Sequence, residues 1–502
     1  MKIAIVGTVA AALVAAVPAA AFTPADPLFT RQWYLTEDHA FDAWPTPPGV
    51  LAPVKVGIVD SGIDGSLPAF AGQIAAARSF VGGDPLVDTE GHGTLVAGEI
   101  AAKLDTVGIV GLAYSAQLVV AKVVRADGSI PIQAEADAIR WVADQGAKVI
   151  NLSLGGARDP GHPGRDYYSQ AEADAVAYAY SKGAVIVAAV GNSDEAYATP
   201  WPYASYPAAL PHVIGVSALT RTGGVPDFSD RDPIFNDLAA PGSDIFSTFP
   251  LALTKLRPTC QLQGTTACAG NEYRHAEGTS FAAPQVAAAA AVLLAVRPDL
   301  TNNQVGTLLE RSADDVNAAT GCRQCPLGRD RFSGWGSLDV AKAVEVLLAG
   351  GPLPAPDRYE TNDEAGSRAY TLWGKTRTIT ATLDFYDDPV DVYRVSLGKG
   401  ERLVARVNAG WTGANVGLEL WQPGTQRIEE TAANTHFRVA QSVAPGAVQR
   451  LVYRATEHGW FYVEAKVDSP GSGPYTLSLI KKPPPKPRKK PLKPAPPPIP
   501  TP

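Results

Sequence analysis

An excess of positive charge is missing from this sequence: 43 Lys and Arg stand against 50 Asp and Glu, for a formal net charge of −7. Nucleic-acid binders carry a basic footprint, so that class is excluded. Long apolar runs are missing too once the N-terminus is passed. The only comparable later run, Val286 to Val296, has 11 residues between Gln285 and Arg297. That is too few to cross a bilayer, so it is expected to be a core helix. Cysteine is scarce, with four in 502 residues, in two close pairs, Cys260 with Cys268 and Cys322 with Cys325. An even count suits an oxidising compartment, and of the three pairings four cysteines allow, nearest-neighbour pairing is the expectation. The Cys322-Arg323-Gln324-Cys325 spacing also fits a redox pair. Gly321, Pro326 and Gly328 surround it, however, and it does not open a helix after a strand, so a surface staple is expected.

Apolar residues are not scarce: 46% are hydrophobic against 19% charged, which excludes wholesale disorder. At roughly 100 to 200 residues per domain, the length suggests two or three folded units. Met1 and Lys2 precede an apolar run from Ile3 to Val17, then Pro18 and the small residues Ala19, Ala20 and Ala21. This predicts a signal peptide over 1–21 and hence secretion, with an uncleaved anchor as the alternative.

Strands and helices alternate from about residue 50 to 220. Val54 to Val59, Leu118 to Val124, Lys148 to Leu152, Ala184 to Val190 and His212 to Ala218 read as buried strands. Leu95 to Leu104, Ile132 to Gln145 and Gln170 to Lys182 carry helical spacing. The expected fold class is therefore α/β, a doubly wound parallel sheet over 22–348, with chemistry at the carboxyl ends of its strands. A Gly- and Pro-rich linker, 349–356, leads to alternating segments over 357–480 that predict a small antiparallel β-sandwich. Residues 481–502 hold seven Lys or Arg among 11 prolines and read as a disordered tail. Without those cations the rest of the chain sums to about −14.

Three segments place reactive groups where such a sheet displays them. Val56-Gly57-Ile58-Val59-Asp60-Ser61-Gly62 is a strand ending in a carboxylate. Gly91-His92-Gly93-Thr94 starts a helix between glycines. Gly278-Thr279-Ser280-Phe281-Ala282-Ala283-Pro284 opens the apolar Val286 helix. A hydroxyl, an imidazole and a carboxylate are the parts of an activated serine nucleophile. Together these motifs resemble those of the subtilases, the subtilisin-like serine peptidases, over roughly Asp26 to Leu348.

That resemblance implies a secreted serine endopeptidase with Asp60, His92 and Ser280 as its triad. It implies Asn192, closing Ala188-Ala189-Val190-Gly191-Asn192, as the oxyanion-hole side chain. It implies substrate binding at Ser153, Leu154, Gly155 and Gly156 and at Ala188, Ala189 and Gly191. Specificity is expected to be broad, with an apolar preference at the residue before the scissile bond from the walls formed by Leu154 and Ala188 to Gly191. The rate should rise through the pKa of His92, near 6.5 if unperturbed. No cofactor is needed for the chemistry. A structural calcium ion is an open question, since Leu67-Pro68-Ala69-Phe70 lacks the usual carboxylate and the neighbouring loop offers only Asp105. No pro-domain is expected, because residues such as Gln32-Trp33 resemble the start of a mature catalytic domain.

The second domain resembles the pre-peptidase C-terminal sandwich of secreted bacterial peptidases, through Asp357-Arg358-Tyr359-Glu360-Thr361-Asn362-Asp363 and Asp388-Pro389-Val390-Asp391. Its acids Asp384, Asp387, Asp388 and Asp391 are either a calcium cluster or solvated turn residues. A monomer acting on polypeptides is expected, its basic tail either tethering it to an anionic cell-surface polymer or serving as a spacer. The competing reading is a catalytically silent surface-binding protein on the same scaffold.

Overall fold

The computed structural model describes residues 22–44, 51–256, 273–351, 353, 357–360, 362–386, 388–428 and 434–484. The expected signal peptide, Cys260, Cys268, Asp387 and the tail beyond 484 lie outside these residues. Two short helices, α1 (Trp33–Glu37) and α2 (Ala40–Ala43), precede β1 (Lys55–Asp60), β2 (Ile74–Ser79) and α3 (His92–Ala101). There follow β3 (Gln117–Lys122), α4 (Ile132–Asp144), β4 (Val149–Leu152), α5 (Gln170–Ser181), β5 (Val185–Ala189), β6 (Val213–Leu219) and β7 (Leu238–Pro241). The seven strands form one sheet in the order β2-β3-β1-β4-β5-β6-β7, every pairing parallel. Order reverses at β1, and ligand crevices in open parallel sheets open at such a switch point.

Alternate strand residues go to opposite faces. Val56, Ile58, Val120 and Val187 join α3 in one core, while Val59, Val119, Ala121 and Ile186 join α4 and α5 in the other. After a small hairpin of β8 (Ile245–Thr248) and β9 (Tyr273–Ala276), with α6 (Leu251–Leu256) between them, comes α7 (Ala283–Val296). With the turn that leads into it, Thr279–Val296 is apolar and long enough to cross a membrane. It is instead the core helix the sequence predicts, with Ala287 to Ala291 all buried. Two further helices, α8 (Asn302–Ser312) and α9 (Val340–Ala349), complete this layer, and α9 runs one residue past the expected boundary at 348.

The remaining strands are β10 (Tyr370–Thr371), β11 (Thr376–Asp384), β12 (Val390–Leu397), β13 (Arg402–Ala409), β14 (Val416–Trp421), β15 (Arg438–Ser442), β16 (Val448–Arg454), β17 (Gly459–Val467) and β18 (Ser472–Lys482). They make sheets of order β10-β12-β17-β14-β15 and β11-β18-β13-β16. All pairings are antiparallel except β10 with β12. Leu403, Val407, Leu420, Phe461 and Leu477 fill the space between them. The strand β18 takes in Lys481 and Lys482, so the expected tail boundary at 481 falls inside a strand.

The sandwich touches the first domain through named contacts. Arg311 pairs with Asp384 at 2.7 Å, His212 with Asp363, and Trp335 packs on Phe385 and Tyr386. Arg427 lies over the Tyr206 ring and bonds its hydroxyl. Cys322 and Cys325 form a disulfide. It is buried beside Leu219, Val225 and Val316, so the expectation of a surface staple is corrected.

Candidate active site

The first strand ends on Asp60, which is 2% exposed. Ser61 N donates to its Oδ1 at 2.7 Å, and His92 Nδ1 lies 2.9 and 3.0 Å from its two carboxylate oxygens. The sequence reading missed Asp88, which holds this corner together. It accepts from Ser61 Oγ, Glu90 N, Gly91 N, Thr94 N and Thr94 Oγ1, fixing the turn that presents His92 at the start of α3. Loss of water around the His92 ring opposes its charge, but Asp60, by charge and hydrogen bond, with Glu90 and Asp88 beyond, pushes it up to about 9. The ring is therefore perturbed, and the condition attached to a value near 6.5 is not met.

Ser280 sits in the single turn Thr279–Phe281 ahead of α7, with Pro284 in the first helical turn, where its missing N–H leaves nothing unpaired. Its hydroxyl donates to Ser153 O at 3.3 Å, and Ser153 Oγ donates back to Ser280 O at 2.7 Å. Asn192 follows β5, and its Oδ1 accepts from Thr279 N at 3.0 Å and Thr279 Oγ1 at 3.2 Å. Thr279, also missed in the sequence, thus orients the amide so that Nδ2 is the end left for the cleft. Asp60, His92, Ser280 and Asn192 all line one cleft of about 290 Å³.

That cleft is also lined by Ser153, Leu154, Gly155, Ala189 and Gly191, and by Val124, Gly128 and Ile130 across from them. Two expected substrate residues do not reach it. Ala188 is fully buried within β5, paired with Leu152 and Gly215. Gly156 spends both its backbone groups on Tyr206, at 2.9 Å each, because the chain turns there to brace the cleft from behind. Gly155 has no room for a side chain: a Cβ would stand 2.2 Å from Tyr206 O.

Asp105 N donates to Asp26 Oδ1, and Asp26 Oδ2 is buried without a partner. Calcium takes six to eight oxygens, whereas Leu67 to Phe70 add no carboxylate and Ala69 O is already bonded by Lys103 N. The side chains around Asp105 do not complete a calcium shell. In the sandwich Asp384 is taken by Arg311, and Asp391 accepts from Asn362 and Tyr475. The carboxylates that gather are instead Asp357, Glu360 and Asp391, within 4.8 Å of one another.

An imidazole held by a buried carboxylate, a serine at a helix entrance and an amide thus line one cleft of the parallel-sheet domain. Residues 52–336 match the Subtilase family, and the chain belongs to it. It is 33% identical to thermitase of Thermoactinomyces vulgaris over 327 residues, covering 64% of this chain and 100% of thermitase. It is 36% identical to subtilisin E of Bacillus subtilis over 294 residues, 58% of this chain and 66% of that protein. A solved protease structure from Pseudoalteromonas arctica aligns with a TM-score of 0.52 and 24% identity over 65% of this chain and 99% of its own, a likeness of fold. The chain is a hydrolase of the serine-endopeptidase type.

Proposed function

We propose that this chain is an exported endopeptidase that cleaves peptide bonds through an acyl-enzyme on Ser280. The observation that carries this reading is the His92 ring, held through Nδ1 by both Asp60 oxygens at the lip of the cleft that displays Ser280 and Asn192. A polypeptide laid along Ser153 to Gly155 as an added strand offers an N–H to Ser153 O. That releases the Ser280 hydroxyl to turn toward His92 Nε2. Ser280 Oγ then attacks the carbonyl carbon and its proton passes to Nε2, while Asp60 balances the imidazolium. Asn192 Nδ2 and the Ser280 N–H hold the oxyanion. As the C–N bond breaks, Nε2 returns the proton to the leaving amine, and water repeats the steps on the acyl-enzyme. No cofactor enters these steps.

Export is supported by the apolar segment 1–21 and by the Cys322–Cys325 disulfide. A further relative, the cell wall-associated protease of Bacillus subtilis, is 34% identical over 58% of this chain and 31% of its own length. The basic tail would attract anionic polymers at the cell surface, screened within about 8 Å at physiological salt. The enzyme would act there as a monomer. The test is labelling by a fluorophosphonate: the full-length protein is expected to take up one equivalent at Ser280 and Ser280→Ala none. An unlabelled, folded wild type would favour the silent binding protein.

A further inference from the structure

On the endopeptidase reading, the side chain of the residue under attack would enter between two walls of the cleft, Ser153 to Gly155 beyond β4 and Ala189 to Gly191 at the end of β5. Ser205 and Tyr206 close the space between them: Tyr206 is paired to Gly156 on one wall, and Ser205 N donates to Val190 O on the other at 2.7 Å. Ser205 lines the cleft, as does Gly191. Behind these two lies Asp230, fully buried. Its N–H is tied to Gly191 O at 3.1 Å. Gly191 has φ +105°, and a Cβ there would stand 2.3 Å from Ser205 Oγ and 2.5 Å from Asp230 Oδ2. The carboxyl therefore presses on the pocket wall where the chain has no side chain.

This carboxyl is met by hydroxyls but by no cation from within the chain. Ser193 Oγ donates to Oδ1 at 3.3 Å, and the Ser205 hydroxyl also hydrogen-bonds the carboxyl. Among the described residues no Lys, Arg or His pairs with it, since the adjacent Arg231 pairs with Asp227 and lies over Phe332. Glu195 lines the same cleft, with Asp194 beside it in sequence. The charges of Glu195 and Asp194 reach the Asp230 carboxyl, while the upper pocket walls, Leu154 and Ala189, are apolar. A long side chain with an aliphatic stem and a cationic head matches both halves.

We propose that Asp230 is a specificity-determining residue, which with Ser205 selects Lys or Arg at the position before the scissile bond. This rests on the endopeptidase reading and replaces the apolar preference expected from the walls alone. Burial, with the charges of Glu195 and Asp194 adding to it, pushes the Asp230 carboxyl up to about 8. An empty pocket near neutral pH therefore keeps the proton. An arriving ammonium or guanidinium favours its loss to solvent, because an opposite charge nearby stabilises the carboxylate.

The test uses full-length enzyme, its active sites titrated with the fluorophosphonate, and quenched peptides that differ only in Lys, Arg, Leu or Phe before the cleaved bond. In the wild type kcat/KM for Lys and Arg should exceed that for Leu and Phe by about tenfold or more, and in Asp230→Asn this ratio should fall by about tenfold or more. Asp230→Glu, which keeps the charge, should retain part of it. Labelled wild type that prefers Leu or Phe, or an unchanged ratio in a folded Asp230→Asn, overturns the inference and leaves the endopeptidase reading standing. If the asparagine variant does not fold, the wild-type ratio decides alone. Wild type that neither labels nor cleaves any peptide sinks the endopeptidase reading, and this inference with it.

Discussion

At the His92 end of the cleft each buried carboxylate is met by backbone N–H groups, whereas at the pocket end one is met by side-chain hydroxyls alone. Asp60 has a backbone N–H and the imidazole, and Asp88 takes five donors. Asp230 has only the hydroxyls of Ser193 and Ser205. A buried carboxylate keeps its charge when hydrogen bonds favour the ionised form and gives it up when they are missing. At the first end the donors fix the carboxylates in place against a reacting imidazole. At the second, the charge depends on what enters.

The comparison can be broken at several points. Ser280→Ala should lower kcat on a peptide by on the order of a million-fold, with the thermal unfolding midpoint little changed. Comparable turnover by the alanine variant would remove the nucleophile assignment. Asp60→Asn keeps the shape but removes the charge that holds the ring, and a loss of about 10,000-fold in kcat is expected; a tenfold loss would mean that the neighbouring acids suffice. Asn192→Ala should cost roughly 100- to 1,000-fold in kcat with KM nearly constant, because the amide acts on the transition state. A change confined to KM would place Asn192 among the substrate-positioning groups.

The smallest effect is the most diagnostic of the charge argument. The base must be neutral to accept the Ser280 proton, and Asp60, Glu90 and Asp88 raise its pKa to about 9. The peptidase rate should therefore climb with pH until about 9 and level off above it. Glu90→Gln removes one of the negative charges, so the ring loses its proton more easily. Its rising limb should move to lower pH by a fraction of a unit, at little cost in plateau rate. A shift to higher pH, or none, would show that Glu90 does not act on the ring.

The residues legible in the sequence share one property: each sits at the end of a strand or the start of a helix among glycines and other small residues. Asp60, His92 and Ser280 stand out for that reason, and Asn192 through the family resemblance of its segment. Asp88 and Glu90 lie in Asp-Thr-Glu-Gly, which reads as a solvated turn, and Asp230 lies in Phe-Ser-Asp-Arg-Asp, which reads as a polar loop. Their roles arise from segments brought together over tens of residues, and no local pattern marks that. The same limit applies to strands. Buried β1, β3, β4, β5 and β6 announce themselves by apolar runs, whereas β2, Ile-Ala-Ala-Ala-Arg-Ser at the sheet edge, has no fully buried residue and no such run. The sandwich is legible by alternation, whereas in β11 and β16 Thr and Arg dilute the apolar faces.

Tyr206 is one of the residues through which the peptidase domain and the sandwich are joined. Its backbone braces the substrate pocket through Gly156, while its hydroxyl is held by Arg427 of the sandwich. It is 1% exposed, and burial pushes its phenol up to about 12. Grafting a foreign appendage in place of the sandwich would strand that hydroxyl, at a cost of about 1–3 kcal/mol, beside the loop that shapes the pocket. In modular terms the peptidase and its sandwich are not interchangeable parts: whatever replaces the second must also supply the hand that holds the first.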